Sequence, residues 1–153
     1  MSFIIKNLFI YPIKGIAGIA VQSAHAEEIG FRHDRRMMFV DEQNNFISQR
    51  SHPQLSQIQC DIQPNQYLIT YEGNQIGIPF EQGQALYDAS LKYAVKVFDD
   101  ELLAYELSTK ISQWFSEKLD CAVKLVTLGT ESLRMKTLIK EPLETKVSFA
   151  DGY

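Results

Sequence analysis

Two stretches of this chain carry side chains suited to gripping an anion. The first is Tyr11-Pro12-Ile13-Lys14-Gly15, directly after a run of β-type residues. A lysine followed by a glycine at a strand exit presents an ammonium together with open backbone N–H groups. The second is Gly30-Phe31-Arg32-His33-Asp34-Arg35-Arg36, which precedes the next strand signal. Arg50 lies at the end of the β-type segments over 35–48 and adds another guanidinium. If these loops converge, Lys14, Arg35 and Arg50 form a cationic pocket. In it arginine would grip a phosphate bidentately and lysine would act as a point charge. The plainer alternative is a solvated lysine at an ordinary turn, with Asp34 pairing to a neighbouring arginine. Spacing alone does not decide between the two. As strand-flanking loop residues, Lys14 and Arg35 are expected at the surface, where replacement changes stability by no more than about 0.5 kcal/mol.

The remaining chemistry-bearing residues form no catalytic set. There is no G-x-S-x-G, H-E-x-x-H, P-loop or G-x-G-x-x-G. His25, His33 and His52 have no metal-ligand spacing and read as surface or loop residues. Cys60 falls in an alternating strand pattern with no neighbour that would lower its pKa, so it reads as a core thiol. Cys60 and Cys121 form no C-x-x-C and are expected to be reduced rather than bridged. No catalytic residue and no metal ligand is therefore assigned.

The elements that must position the cations read mostly as short strands. Residues 2–11 are β-branched and aromatic up to Pro12, and 18–28 partly alternate. Residues 35–41 and 46–48 flank an Asn-rich turn, which predicts a hairpin. Residues 55–62 alternate, 66–71 and 75–79 predict a second hairpin, and 91–98 alternate again. One segment breaks the habit: Ile111, Trp114, Phe115 and Leu119 recur at helical spacing behind Ser108, a natural N-cap. A last strand is expected over 122–128. The pattern predicts a mainly β (α+β) fold, a small bent sheet or barrel with one late amphipathic helix over about 108–119.

The 153 residues are 45% hydrophobic and 22% charged, the composition of one globular domain. Net charge is −4, and residues 72–106 carry seven acidic against two basic side chains. With no basic block, the chain is expected to bind no nucleic acid. No apolar run is long enough to cross a membrane, and the start lacks a signal-peptide pattern, so a cytoplasmic protein is expected.

Three ordered motifs then resemble a known family. Leu8-Phe9-Ile10-Tyr11-Pro12-Ile13-Lys14, Gly30-Phe31-x-x-Asp34-Arg35-x-Met37, and Phe46-Ile47-Ser48-Gln49-Arg50 with Pro53-x-Leu55 resemble the MOSC N-terminal β-barrel domain. The likeness continues through Val97-Phe98-Asp99-Asp100, Trp114-Phe115 and Val123-Lys124-Leu125-Val126. Members include the amidoxime reducing component and the C-terminal part of molybdenum cofactor sulfurase. The resemblance divides the chain into a β-barrel domain over 1–128 and, over 129–153, a linker and the beginning of a truncated MOSC domain. It implies an accessory domain that helps bind the molybdenum cofactor on its phosphate and pterin side. Lys14 and Arg35 would contact the cofactor, and Arg50 would support them. Gly15 stands where the family often has serine, so only its backbone N–H would serve.

The intact protein would then be an oxidoreductase for N-hydroxylated compounds, with the cysteine ligand of molybdenum in the missing MOSC part. Its expected partners are that domain and an electron-donor flavin or iron–sulfur protein. The alternative is a non-catalytic recognition module attached to a sulfur-carrier or sulfur-transfer MOSC domain. No cofactor is expected in this chain by itself. Purified alone, it should therefore contain no stoichiometric molybdenum; elemental analysis checks this, and a one-to-one metal content would overturn the assignment of the ligand to another domain.

Overall fold

In the computed structural model the described residues are 2, 4–129, 134–137 and 144–149. Short strands come first: β1 (Leu8–Ile10), β2 (Ile13–Lys14), β3 (Ile19–Val21), β4 (Ala26–Glu27), β5 (Gly30–Phe31) and β6 (Met37–Val40). After a 3-10 turn at Pro53–Gln57 follow β7 (Gln59–Ile62), β8 (Gln66–Tyr71), β9 (Asn74–Glu81) and β10 (Gln84–Ala85). The hairpin β11 (Lys92–Val97) and β12 (Asp100–Glu106) leads to α1 (Thr109–Leu119), β13 (Lys124–Thr127), β14 (Arg134–Thr137) and β15 (Glu144–Val147). Five strands form one sheet in the order β11-β12-β13-β6-β2, and four form another in the order β10-β9-β8-β7. The pairs β1–β3, β4–β5 and β14–β15 are separate two-stranded ladders.

The fold is the expected one, mainly β with one late helix. Two local readings are corrected. The alternation over 55–62 begins as the 3-10 turn, because Pro53 supplies a helical φ and no N–H. The long β run of 2–11 narrows to Leu8–Ile10, where β3 supplies a hydrogen-bonding partner. Among the described residues no helix is long and apolar enough to cross a membrane.

β6 is the centre of the molecule. It pairs antiparallel with β13 and parallel with β2. All four of its residues, Met37-Met38-Phe39-Val40, are 0% exposed. Met37 and Phe39 join the larger core, between the two sheets and α1, while Met38 and Val40 join a second core behind the five-stranded sheet. A strand covered on both faces needs an unbroken apolar run rather than an alternating one. The half-covered hairpin keeps the alternation, with Val95 and Val97 buried and Lys92, Ala94 and Lys96 exposed.

Helix α1 is capped as its sequence predicts: the Ser108 side chain accepts from the Ile111 N–H at 3.2 Å. Its inner face carries two hydroxyls as well as apolar groups. Ser112 Oγ accepts from the Leu125 N–H at 3.1 Å, and Ser116 Oγ accepts from the Val123 N–H at 3.0 Å. These bonds satisfy backbone donors at the start of β13 that the sheet does not reach. Of the stretch 129–153, residues 130–133, 138–143 and 150–153 lie outside the described residues. Val147, Ser148 and Phe149 are buried. The Ser148 N–H donates to Ile29 O at 3.2 Å and the Phe149 N–H to Arg35 O at 3.1 Å.

Trp114 only half-buries against the larger core, and Phe115, 0% exposed, takes the interior position and packs its ring edge-to-face on Phe39 at 4.8 Å. Phe115→Ala should cost about 3–5 kcal/mol, and Trp114→Ala clearly less. Chemical denaturation of both variants checks the ranking, and equal costs would mean that the helix is docked differently.

Candidate anion-binding site

The first two motifs are clasped together by backbone bonds. The Tyr11 N–H donates to Asp34 Oδ1 at 2.7 Å, the Arg35 N–H donates to Tyr11 O at 2.6 Å, and the Met37 N–H donates to Pro12 O at 3.1 Å. Asp34 is therefore a clamp on the other loop. Two neighbouring arginines pair with Glu27: Arg36 Nη2 donates to Glu27 Oε2 at 2.8 Å and Arg32 Nε to Glu27 Oε1 at 2.6 Å. The clasp feeds directly into the parallel pairing of Ile13 with Met37 and Lys14 with Met38. It also sets Arg35, at φ +50°, with its guanidinium carbon 5.5 Å from the Tyr11 ring centre. A Cβ at Gly18 would fall 2.7 Å from Tyr11 Cε1, so the missing side chain leaves that ring its place.

The third motif is tied to the first by a side chain. Gln49 Nε2 donates to Gly15 O at 2.8 Å, and the Arg50 N–H donates to Ser48 Oγ at 3.3 Å. Gly15 has φ +92°, a backbone that a serine would resist. Its departure from the residue common in the resembling family is thus built into this turn.

A pocket of about 340 Å³ opens where the three motifs meet, lined by Tyr11, Lys14, Gly15, Ile16, Arg35, Phe46, Ser48, Gln49, Arg50 and Phe98. All four residues singled out in the sequence, Lys14, Gly15, Arg35 and Arg50, lie on its wall. Lys14 departs from expectation: it is 1% exposed, not a solvated loop residue. As part of β2 it is held beneath the wall, with Nζ 4.9 Å from the Phe46 ring centre and 5.2 Å from that of Phe98. Arg35 is half-buried and Arg50 exposed. The aromatic lining was not assigned a role from sequence, although Tyr11, Phe46 and Phe98 all fall within the family-like motifs. A wider pocket of about 450 Å³, which includes Glu42, Tyr93, Glu106 and Lys124, contains none of the four residues.

His33, Cys60 and Cys121 lie outside this pocket. His33 is half-buried, with its ring nitrogen Nδ1 2.9 Å from the Tyr67 hydroxyl. That hydroxyl donates to Gly83 O at 3.2 Å, so Nδ1 is the donor toward Tyr67. Burial, with Arg32 adding to it, lowers the His33 pKa from its usual 6.5. Protons therefore bind the unfolded chain first, and stability falls as pH drops below about 6.5. His33→Asn, which keeps a residue tolerant of φ +68°, should flatten the slope of melting temperature between pH 7 and 5.5; an unchanged slope would assign the loss to other groups. Cys60 and Cys121 are free thiols. Burial, then Asp61, pushes the Cys60 thiol up to about 12, which accords with an inert core group. Among the described residues no three His, Cys, Asp or Glu side chains come together as a metal cage.

Comparison with known proteins shows the family of the chain. Residues 2–121 match the MOSC N-terminal beta barrel domain. Molybdenum cofactor sulfurase from Bos taurus is 32% identical over 76% of this chain and 13% of its own length. Mitochondrial amidoxime reducing component 2 from Rattus norvegicus is 23% identical over 97% of this chain and 44% of its own length. The chain thus spans less than half the length of these relatives. A solution structure of a Bordetella bronchiseptica protein shares the fold, with a TM-score of 0.53 at 12% identity over 71% of this chain and 90% of that one. The chain belongs to the family of MOSC N-terminal beta barrel domains.

Proposed function

We propose that this chain helps hold the phosphate and pterin side of a molybdenum cofactor, in the pocket walled by Lys14, Gly15, Arg35 and Arg50. The observation that carries the reading is the meeting of three cations, from three separate segments, on one pocket of a chain whose net charge is −4. An anion entering such a pocket meets positive groups from three directions. Arg35 and Arg50 offer planar forks for phosphate oxygens, and Lys14 offers a fixed point charge. The turn at Gly15 brings backbone close to the opening. Tyr11, Phe46 and Phe98 add flat apolar faces of the kind that a planar heterocycle stacks on. The residues present therefore fit an anion attached to a ring.

When bound, the cofactor supplies redox chemistry at its metal, and this chain supplies charge and orientation. We place the chain in a longer oxidoreductase that reduces N-hydroxylated compounds. A MOSC domain would carry the metal's cysteine ligand, and a flavin or iron–sulfur protein would donate electrons. The higher identity to a sulfurase supports a second reading, a recognition module beside a sulfur-transferring MOSC domain. Both readings use the same pocket, and a hydroxylamine-reduction assay on the full-length protein separates them. Two free thiols accord with a reducing compartment such as the cytoplasm.

The pocket itself is tested by cofactor retention in the full-length protein. Because Lys14 is buried, Lys14→Met, which keeps the length of the stem, is the cleaner removal of charge. Lys14→Met and Arg35→Ala should each lose a charge-assisted bond worth about 1.5–3 kcal/mol, which is roughly ten- to hundredfold in affinity. Arg35→Lys should also weaken retention, since the charge stays but the fork is lost. Cofactor content and melting temperature are read together. Full retention in both charge-removing variants would take these residues out of the site.

A further inference from the structure

The wider cavity, of about 450 Å³, forms where β12 leaves the sheet. β12 pairs with β13 through Tyr105 with Thr127 and Glu106 with Val126. The chain then turns into α1, so the start of β13 has helix hydroxyls beside it instead of a strand: Ser112 Oγ accepts from the Leu125 N–H and Ser116 Oγ from the Val123 N–H. The space beside them is of the size that small ligands occupy. Strand register sets Tyr93, Glu106 and Lys124 on one face at its wall. Tyr93 lies opposite Ala104, two residues before Glu106, and Val126 lies opposite Glu106, two residues after Lys124.

Glu106 is the unusual member of the wall, because it is 3% exposed. Burying a carboxylate is costly unless a cation or several donors meet it. Among the described residues Glu106 makes no ion pair. The cation on the same wall is committed elsewhere: Lys124 Nζ donates to Asn44 Oδ1 at 2.9 Å and stands 4.7 Å from the Tyr93 ring centre. The polar neighbour of Glu106 is the Tyr93 hydroxyl, which burial, and then the charge of Glu106 and a hydrogen bond to it, hold above its usual 10. One hydroxyl leaves most of the roughly four acceptor positions of a carboxylate unused. Ser112, also buried, spends its oxygen on the Leu125 N–H, and its own proton has no acceptor among the described residues. Glu42, exposed, adds a second carboxylate, so the wall carries two negative groups against one ammonium.

We propose that this cavity is a second binding site, distinct from the anion pocket, for a small organic ammonium ion that carries hydroxyl groups. The ammonium, with three donors, takes the buried Glu106 carboxylate, and a hydroxyl oxygen takes the Ser112 proton. The surplus of carboxylates at the wall favours one positive charge over a neutral or negative ligand.

The experiment is an amide NMR titration of the isotope-labelled chain with serinol and, in parallel, with glycerol, its uncharged counterpart of the same shape. The reporters are the Val123 and Leu125 amides, whose N–H groups bond to the helix hydroxyls. Serinol should bind at least about tenfold more tightly than glycerol, the factor for one charge-assisted bond. Glu106→Gln keeps the size of the side chain and removes its charge, so serinol and glycerol should then shift these amides alike. A wild-type chain that responds equally to both, or to neither, overturns the proposal without recourse to a variant. A preference for serinol that survives in Glu106→Gln overturns it as well. If Glu106→Gln does not fold, Lys124→Gln carries the test: loss of the like charge should tighten serinol by about twofold or more and leave glycerol unchanged. Unchanged serinol affinity in that variant overturns the proposal.

Discussion

Everything at the site depends on one exchange of hydrogen bonds, in which Tyr11 donates to Asp34 and accepts from Arg35. Without it, the loop ahead of β2 and the loop ahead of β6 are two independent segments, each carrying a cation into solvent. With it, β2 lies parallel to β6, and Lys14 and Arg35 leave the clasp toward the same pocket. Parallel pairing needs a crossover connection, and here the segment carrying β3, β4 and β5 makes it. A two-residue strand gains little from its own ladder, so fixing its register falls to bonds outside the ladder. The carboxylate of Asp34 supplies one of them, which is a more specific duty than neutralising an arginine.

The centre of the sheet makes that clasp rigid. β6 is gripped on both faces by core side chains, so the end of it that carries Arg35 and Arg36 has little freedom. Lys14, one strand away, inherits the same constraint and is buried with it. A buried ammonium is costly unless its charge is met by suitable groups, and aromatic faces are among them. The pocket thus combines one ammonium fixed by burial, one half-buried guanidinium resting on Tyr11, and one exposed guanidinium, Arg50, on a loop tethered by Gln49.

Much of this was legible in the sequence, and the parts that were not have physical reasons. The alternation of 91–98, the helical spacing of Ile111, Phe115 and Leu119, and the capping Ser108 are local signals, and they map directly onto β11 and α1. The four pocket residues were legible through motif order. The burial of Lys14 was not, because it comes from a strand pairing 24 positions away, Lys14 with Met38, and from rings at Phe46 and Phe98 that no local rule connects to it. His33 was read as a loop residue, and its bond to Tyr67 joins segments 34 positions apart. The 3-10 turn at Pro53–Gln57 hid behind an apolar spacing that suits a strand almost as well.

The bond from the Phe149 N–H to Arg35 O joins the last described strand's end to the loop ahead of β6. Together with the contact between Lys14 and Phe98, it gives the pocket a high contact order: its walls come from residues that meet only after long loops have closed. On a ribosome, the segment bearing Lys14 and Arg35 emerges well before Phe98 and Phe149 do. Closure of the pocket is therefore a late event in the life of a newly made chain, reached when the last strands dock rather than when the cationic loops first form.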